Sequence, residues 1–452
     1  MALSLKKRHV NSVQIIVFFY LMSVILSAIL LYLPFLQKPG AELSFIDALF
    51  TAASAVSVTG LSVVPIHEVF NKWGILLLLV LFQIGGIGIM TLGTFFWLMF
   101  GQKIGLEQRI WIATDHNRPQ LAGLVELMRN ILILSLVIEL AGTLLLGSYL
   151  LLAGYHDNWQ LAYYQGMFTA VSAFTNAGFD LFGTSLQGFA HDYVFQLIIM
   201  VLIICGAIGF PVLIELKDWL AHRKNRVRFT FSLFTKITTV TFFVLTGVGT
   251  LLFLFFERND FLAGKSWHES LFYALFQSLT TRSAGLTTMD ISLLSIPTLF
   301  LMALMMFIGA SPSSVGGGIR TTTLFVLLAT VWANMRGYKT VRVFGRELVE
   351  EDILRSFMVF FVAAALVSGT ILLLAWTEGL PIHHVMFEVC SAFGTAGLST
   401  GITPELSTSG KLILIVTMVI GRIGIVNLLL FLKRDDRTVR YHYPKERVII
   451  GQ

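Results

Sequence analysis

A short motif occurs four times along this chain, and every copy ends at a glycine. The copies are LFTAASAVSVTGL, MFTAVSAFTNAGF, LFQSLTTRSAGL and MFEVCSAFGTAGL, of which the third is one residue short. Their glycines, Gly60, Gly178, Gly285 and Gly397, are 118, 107 and 112 residues apart. Self-similarity at a nearly constant spacing indicates one structural unit used several times. We therefore expect four similar units.

The composition predicts that these units lie in a membrane. Of the 452 residues, 56% are hydrophobic and 13% are charged, whereas a soluble domain carries about 25% charged residues. Eight segments are apolar enough to span a bilayer as helices: 11–33, 74–100, 128–152, 194–219, 235–256, 298–334 (interrupted), 356–377 and 411–432. Four shorter apolar stretches predict re-entrant helices: 45–56, 162–173, 268–279 and 382–393.

The basic residues predict the orientation of the chain. Of 32 Lys and Arg residues, 24 fall on the side of the N-terminus, 5 fall on the opposite side, and Arg282, Arg320 and Arg422 lie at membrane depth. Since Lys and Arg are retained on the cytoplasmic side, both termini are expected in the cytoplasm of a multi-pass cell-membrane protein. Acidic residues accumulate in the opposite loops, so the outer mouth should attract cations.

A second glycine signature follows each motif: GGIG at 85–88, GAIG at 206–209, GASPSSVGGG at 309–318 and GRIG at 421–424. The expected unit is therefore a helix, a short pore helix, a glycine turn and a second helix. The four repeats are 1–100, 101–220, 221–340 (with an interrupted inner helix) and 341–452. They predict an all-α membrane fold with eight spans and a central, pseudo-fourfold pore.

Four glycine turns around one axis can direct backbone carbonyls to one point. Rings of carbonyls that replace the water shell of an ion form cation-selective filters, and the short helices would end there with their partially negative termini. The alternative is four helix–helix turns packed by small residues. The candidate filter residues are Val58, Thr59, Gly60, Asn176, Ala177, Gly178, Ser283, Ala284, Gly285, Thr395, Ala396 and Gly397.

These motifs together resemble the Trk/Ktr/HKT family of potassium transporters, and most closely its bacterial KtrB-type membrane subunits. The resemblance covers roughly residues 11–433. It implies K⁺ uptake with Na⁺ as an activator, a homodimer and a cytosolic nucleotide-binding regulatory ring of the KtrA type. A glycine in all four turns accompanies K⁺ selectivity in this family, so Gly60 predicts selectivity for K⁺.

The run at 309–318 cannot continue a regular helix, because it combines glycine, serine and proline. The resemblance implies a gating loop there, whereas a kink needed only for packing is the alternative. The candidate gating residues are Gly309, Ala310, Ser311, Pro312, Ser313, Ser314, Gly316, Gly317, Gly318 and Arg422.

The three arginines at membrane depth require polar surroundings. Arg422 is expected to face the pore as a barrier or to donate to backbone carbonyls, with Glu139 as a candidate partner. Arg282 is expected to brace the third turn. Arg320 is expected to anchor the loop or to reach the cytoplasm.

The remaining patterns limit the cofactors and partners. No phosphate-binding or dinucleotide-binding glycine motif occurs, so we expect neither an enzyme nor a bound organic cofactor. No nucleic-acid partner is expected. The basic stretches 222–229 and 336–348 predict contact with anionic lipids. Two alternatives stay open beside a K⁺-selective pore, namely a Na⁺-coupled K⁺ symporter and a less selective Na⁺/K⁺ transporter.

Overall fold

The computed structural model describes residues 12–88, 123–224 and 229–432, with a few single positions outside these ranges. The helices are α1 (Ser12–Tyr32), α2 (Phe45–Ser57), α3 (Ile66–Val69), α4 (Lys72–Ile87), α5 (Leu124–Leu152), α6 (Trp159–Phe174), α7 (Tyr193–Ala207), α8 (Phe210–Lys224), α9 (Leu233–Phe256), α10 (Trp267–Thr280), α11 (Ile296–Ile308), α12 (Thr321–Met335), α13 (Glu350–Glu378), α14 (Ile382–Gly394), α15 (Thr408–Ile423) and α16 (Ile425–Leu432). Four single-turn 3₁₀ segments lie in the connections: Pro34–Leu36, Gln187–Phe189, Ile291–Leu293 and Thr403–Glu405.

Among the described residues, four helices, α1, α5, α9 and α13, are long and apolar enough to cross a membrane. Their outward-facing side chains are large and apolar, as Leu140 and Phe361 show with 61% and 66% exposure. Such surfaces suit lipid rather than water, because exposed apolar patches of this extent are rare on soluble monomers. The short helices α2, α6, α10 and α14 instead bury half or more of their residues.

In the second, third and fourth predicted units, the second helix is broken at its glycine signature. The α7–α8 pair bends by 106° and the α15–α16 pair by 95°. Gly88, Gly209 and Gly424 take φ values of +99°, +101° and +87°, which glycine adopts at no steric cost. The sequence marked only 298–334 as interrupted, whereas the helices at 194–219 and 411–432 are also broken. The part of the 74–100 span beyond Gly88 lies outside the described residues.

In three units, a polar contact joins the end of the first, long helix to the start of the second, shorter helix. Glu257, just after α9, accepts hydrogen bonds from the N–H and hydroxyl of Ser295 at 2.9 and 2.7 Å, immediately before α11. Glu378 accepts the corresponding pair from Ser407 before α15, at 2.9 and 2.6 Å. In α5, the hydroxyl of Tyr149 donates to Asp192, the N-cap of α7. These tethers help to close the units around their short helices.

The basic stretch 336–348 contains a small β-hairpin, so the fold is not purely helical. Strands β1 (Arg342–Val343) and β2 (Arg346–Glu347) pair antiparallel. Phe344 and Gly345 form the two-residue connection with φ values of +48° and +75°, the left-handed values that tight hairpin turns require. The other basic stretch, 222–229, and the repeat boundary near residue 100 lie largely outside the described residues.

Candidate functional site

The four turns share one backbone conformation although their residues differ. The first residue of each turn is left-handed and not glycine, with φ values of 57° at Val58, 53° at Asn176, 77° at Ser283 and 47° at Thr395. Two positions later the glycines have φ values of 92°, 73°, 73° and 80° at Gly60, Gly178, Gly285 and Gly397. A left-handed residue that is not glycine is strained, and such strain concentrates at functional sites. The shared geometry therefore points to a shared role.

The third turn reaches the same conformation with one residue fewer. In the first turn, the N–H of Thr59 donates to Ser54 O at 2.8 Å, five residues earlier. In the third turn, the N–H of Ala284 donates to Thr280 O at 2.9 Å, only four residues earlier. The tighter closure absorbs the missing residue, so the glycines remain equivalent.

The four turn glycines form a closed ring. A Cβ atom built on Gly60 would lie 2.9 Å from Gly178 Cα, and one on Gly178 would lie 3.0 Å from Gly285 Cα. One on Gly285 would lie 3.3 Å from Gly397 Cα, and one on Gly397 would lie 3.0 Å from Gly60 Cα. No side chain fits at these positions without moving backbone, which explains why each residue is glycine.

Carbonyl groups follow the same order around the ring. The built Cβ atom of Gly60 would lie 2.7 Å from Ala177 O, that of Gly178 would lie 3.2 Å from Ala284 O, and that of Gly285 would lie 2.8 Å from Ala396 O. The carbonyl of Thr59 lies against Gly397 and completes the series. The middle residue of each turn thus presents its carbonyl to the neighbouring turn. Oxygen atoms in such a ring suit a cation.

The sixth residue of each motif copy carries a hydroxyl group, and in three copies this hydroxyl braces the turn. Ser54 Oγ accepts from the N–H of Gly60 at 3.0 Å. Ser172 Oγ and Thr280 Oγ1 each donate, at 2.6 Å, to the carbonyl of the residue that follows the turn glycine. In the part of the chain that the structure describes, Ser391 Oγ has no partner. The sequence analysis missed these braces, although the recurring Ser or Thr in the motif was the signal.

The second glycine signature supports the turns from the adjoining helix. A Cβ atom on Gly85, Gly206 or Gly421 would collide with the carbonyl of Val56, Phe174 or Phe393, respectively. Each of these carbonyls belongs to the last turns of a short helix, two residues before the left-handed position. The second glycine signature is thus a surface of close approach between backbones in three of the four units.

The loop 309–318 lies between α11 and α12 and is hydrogen-bonded to the second unit. The N–H groups of Ser311 and Val315 donate to Ala207 O and Gly206 O at 3.1 and 3.3 Å. Helix α11 ends at Ile308, because the next residue, Gly309, has a φ value of +71°. The loop is thus held against the broken helix of the second unit rather than exposed.

The loop also contacts the third glycine turn directly. Ser283 Oγ accepts from the N–H of Gly317 at 3.2 Å and donates to Gly394 O at 2.5 Å. Gly316 packs against the Ser283 side chain, where a Cβ would lie 2.6 Å from its Cβ. One hydroxyl therefore joins the loop, the third turn and the fourth short helix.

Three arginines hold the loop from different sides. Arg422 donates through Nη1 to Val315 O and through Nη2 to Gly85 O and Gly86 O. Arg320 donates to Ser311 O and Gly316 O, within the loop itself. Buried Arg282 donates to Gly309 O at 3.3 Å. Arg422 therefore connects the loop with the first and fourth units. Arg320 anchors the loop, as one of its two predicted roles required, and Arg282 joins the third turn to the start of the loop.

Glu139 is not the partner of Arg422, so that prediction was wrong. Glu139 Oε2 accepts from Gln83 Nε2 at 2.5 Å. The sequence shows that both Glu139 and Arg422 need a polar environment, but it carries no information on which buried groups meet. Backbone carbonyls satisfy the guanidinium instead.

A small cavity adjoins the ring, and a larger one adjoins the loop 309–318. The small cavity, about 310 Å³, is lined by Gly60, Gly178, Asp180 and His67 among others. Burial raises the pKa of Asp180, while the N–H groups of Gly183 and Phe182 oppose this shift.

The large cavity, about 780 Å³, lies on the loop side of the ring. Its lining includes Pro312, Ser313, Ser314, Gly318, Arg320 and Arg422. The glycine ring adjoins the small cavity, and the loop with Arg320 and Arg422 adjoins the large one.

Comparisons with known proteins agree with this geometry. The TrkH family, described as cation transport protein, matches residues 6–441. Ktr system potassium uptake protein D of Bacillus subtilis is 52% identical over 438 residues, which cover 97% of either chain. Potassium/sodium uptake protein NtpJ of Enterococcus hirae is 35% identical over 453 residues, which cover 98% of either chain.

A solved structure has the same fold. The potassium transporter TrkH from Vibrio parahaemolyticus superposes with a TM-score of 0.73 at 20% identity, over 95% of this chain and 86% of that chain. The family match spans nearly the whole chain, and the long apolar helices are those of a membrane protein. The chain therefore belongs to the TrkH family of cation transport proteins.

Proposed function

We propose that this chain is the K⁺-translocating membrane subunit of a bacterial potassium uptake system. The observation that carries the proposal is the closed ring of four glycine turns, with a small cavity against the ring and a larger cavity against the loop that contacts it. Several relatives are named as potassium uptake proteins of a Ktr system. These relatives are transporters, and the proposed function is accordingly transport rather than an enzymatic reaction.

The glycine ring is the proposed selectivity filter. The carbonyls of Thr59, Ala177, Ala284 and Ala396, each lying against the next turn, would replace the water around K⁺. The four short helices end at the ring, and their C-terminal ends carry partial negative charge that favours a cation. Glycine at position 60 supports K⁺ over Na⁺, as the family resemblance implies.

The loop 309–318 and Arg422 are the proposed gate. The loop lies between the ring and the large cavity, and its backbone is held by hydrogen bonds that can exchange at low cost. Arg422 places a positive charge beside the route, which opposes the passage of K⁺. Movement of the loop with Arg422 would open the route toward the cytoplasm.

The proposed architecture is four pore repeats with eight spans arranged pseudo-fourfold around the ring. The small cavity would face the outside and the large cavity the cytoplasm, with both termini cytoplasmic in the cell membrane. In this orientation Asp180 lies at the outer mouth, where a carboxylate attracts cations.

Partners of the Ktr type complete the proposal. The chain would form a homodimer, contact anionic lipids through its basic stretches and bind a cytosolic nucleotide-binding ring of the KtrA type. The name Ktr system of two relatives supports such a multi-subunit assembly. Na⁺ is proposed as an activator and K⁺ as the transported ion, with no organic cofactor bound in this chain.

A Na⁺-coupled K⁺ symporter, or a less selective Na⁺/K⁺ transporter, is the second candidate function. It is favoured by one observation, namely the 35% identity to a relative named as a potassium/sodium uptake protein. The ring geometry alone does not require coupling between the two ions.

Flux in proteoliposomes distinguishes these functions. The purified full chain is reconstituted, and K⁺ and Na⁺ fluxes are measured at one external Na⁺ concentration, either with an inward Na⁺ gradient or with the same Na⁺ concentration on both sides. Because Na⁺ is present as the proposed activator in both conditions, the proposed pore passes K⁺ at the same rate in both and passes little Na⁺. A K⁺ flux that requires the Na⁺ gradient identifies the symporter, and equal K⁺ and Na⁺ fluxes identify the less selective transporter.

A further inference from the structure

A buried acid and a half-buried amide face each other between the first and second units. Glu139 in α5 is 5% exposed, and its Oε2 accepts from Nε2 of Gln83 in α4 at 2.5 Å. Within the described ranges, Glu139 Oε1 and Gln83 Oε1 have no hydrogen-bond partner. Two acceptor oxygens without donors are costly in a buried site.

The surrounding helices supply no cation for an ionised Glu139. Helices α6 and α7 carry no charged residue, and α4 carries only Lys72, which lies at its opposite end. The described side chains of α8, which also contacts α5, include Glu215, Lys217 and Asp218. Its own helix carries Glu126 and Arg129. Glu139 forms no ion pair with Arg129 or with any other described residue.

A single proton satisfies both orphaned oxygens. A neutral carboxylic acid has one O–H donor, and a primary amide has both an N–H donor and a carbonyl acceptor. If Glu139 carries its proton on Oε1, it can donate to Gln83 Oε1 while Gln83 Nε2 donates back to Glu139 Oε2. Both groups then have a partner, and no charge is buried.

We propose that Glu139 is held as the neutral acid in a reciprocal pair with Gln83, and that this pair positions the carbonyls that bind Arg422. Gln83 lies two residues before Gly85 on the same helix, and Gly85 and Gly86 accept from Arg422 Nη2. Arg422 in turn binds Val315 of the loop. Glu139 is thus a positioning residue that acts through α4 on the loop.

The effect on flux rests on the proposed function, whereas the reciprocal pair does not. Three variants test the positioning role in proteoliposomes. Glu139→Gln keeps a reciprocal amide–amide pair, and the double variant Gln83→Glu with Glu139→Gln exchanges the two partners. Both should conduct K⁺ as the unmodified chain does. Glu139→Leu leaves the Gln83 amide unpaired and loosens Arg422, and we expect its basal K⁺ flux to rise on the order of tenfold, the factor that about 1.4 kcal/mol represents.

Infrared spectroscopy tests the neutral acid independently of flux. The difference spectrum between the unmodified chain and Glu139→Gln at neutral pH should contain the carbonyl band of a protonated carboxylic acid. Carboxylate bands in its place would overturn the neutral acid. Flux in Glu139→Gln that matches Glu139→Leu, or unchanged flux in Glu139→Leu, would overturn the positioning role. If no chain conducts K⁺, the proposed function fails, and the infrared spectrum still decides the state of Glu139.

Discussion

Replacement of Gly60 by serine tests the filter most directly. Gly60 has a φ of +92°, and a Cβ there would lie 2.7 Å from Ala177 O and 2.9 Å from Gly178 Cα. Both atoms belong to the backbone, so the second turn must shift to accept the new side chain. The left-handed conformation alone costs a residue that is not glycine about 1–2 kcal/mol. We expect the ring to relax by deformation of the first two turns.

The expected consequence is a loss of discrimination between K⁺ and Na⁺. If the strain of about 1–2 kcal/mol lowers the free energy by which the ring prefers K⁺ to Na⁺, the K⁺/Na⁺ permeability ratio falls about 5- to 30-fold. The assay is the K⁺/Na⁺ permeability ratio in proteoliposomes. Gly40→Ser is the matched control, because Gly40 has a φ of +85° but no atom within 4 Å of its built Cβ.

The control separates strain in the ring from strain in any left-handed glycine. Gly40→Ser should retain the permeability ratio of the unmodified chain while bearing a similar backbone cost. The reasoning is refuted if Gly60→Ser keeps the same ratio as Gly40→Ser and the unmodified chain.

Two further predictions concern the gate and the braces. Deletion of residues 311–317 removes the loop bonds to the second unit and to Ser283, so basal K⁺ flux in proteoliposomes should rise; unchanged flux would argue for a loop needed only for packing. Ser54→Ala removes the hydroxyl that accepts from the N–H of Gly60. It should lower the free energy of unfolding by about 1 kcal/mol and lower the K⁺/Na⁺ permeability ratio. Ser391→Ala, at the frame position where Oγ has no described partner, is its control, and equal effects of the two changes would contradict the brace.

The short helices were the most predictable elements. Stretches 45–56 and 382–393 were expected, and the helices occupy Phe45–Ser57 and Ile382–Gly394. An apolar run that is too short to span a bilayer and ends at a glycine-containing turn leaves few alternatives to a re-entrant helix. The close approach of the four glycine turns was also expected, because four copies of one motif imply four equivalent positions.

The breaks in the second helices were less predictable. A Gly-x-Ile-Gly sequence is compatible with a continuous membrane helix and with a broken one. The break at Gly209 accompanies the close approach of Gly206 to Phe174 O and of Gly209 to Pro312 O. These contacts join different parts of the chain, so no local propensity reports them.

The long apolar helices, the four short helices and the four glycine-containing turns could be read from the sequence alone. Apolar periodicity and repeated motifs are local properties, which is why they can be recognised along one chain. The tertiary structure was needed to show that the turns close one ring in which only glycine fits, that Arg422 binds backbone carbonyls of two units, and that Glu139 pairs with Gln83. Hydrogen bonds between groups 56 to 337 residues apart depend on how the units pack, and the order of residues does not specify that packing locally.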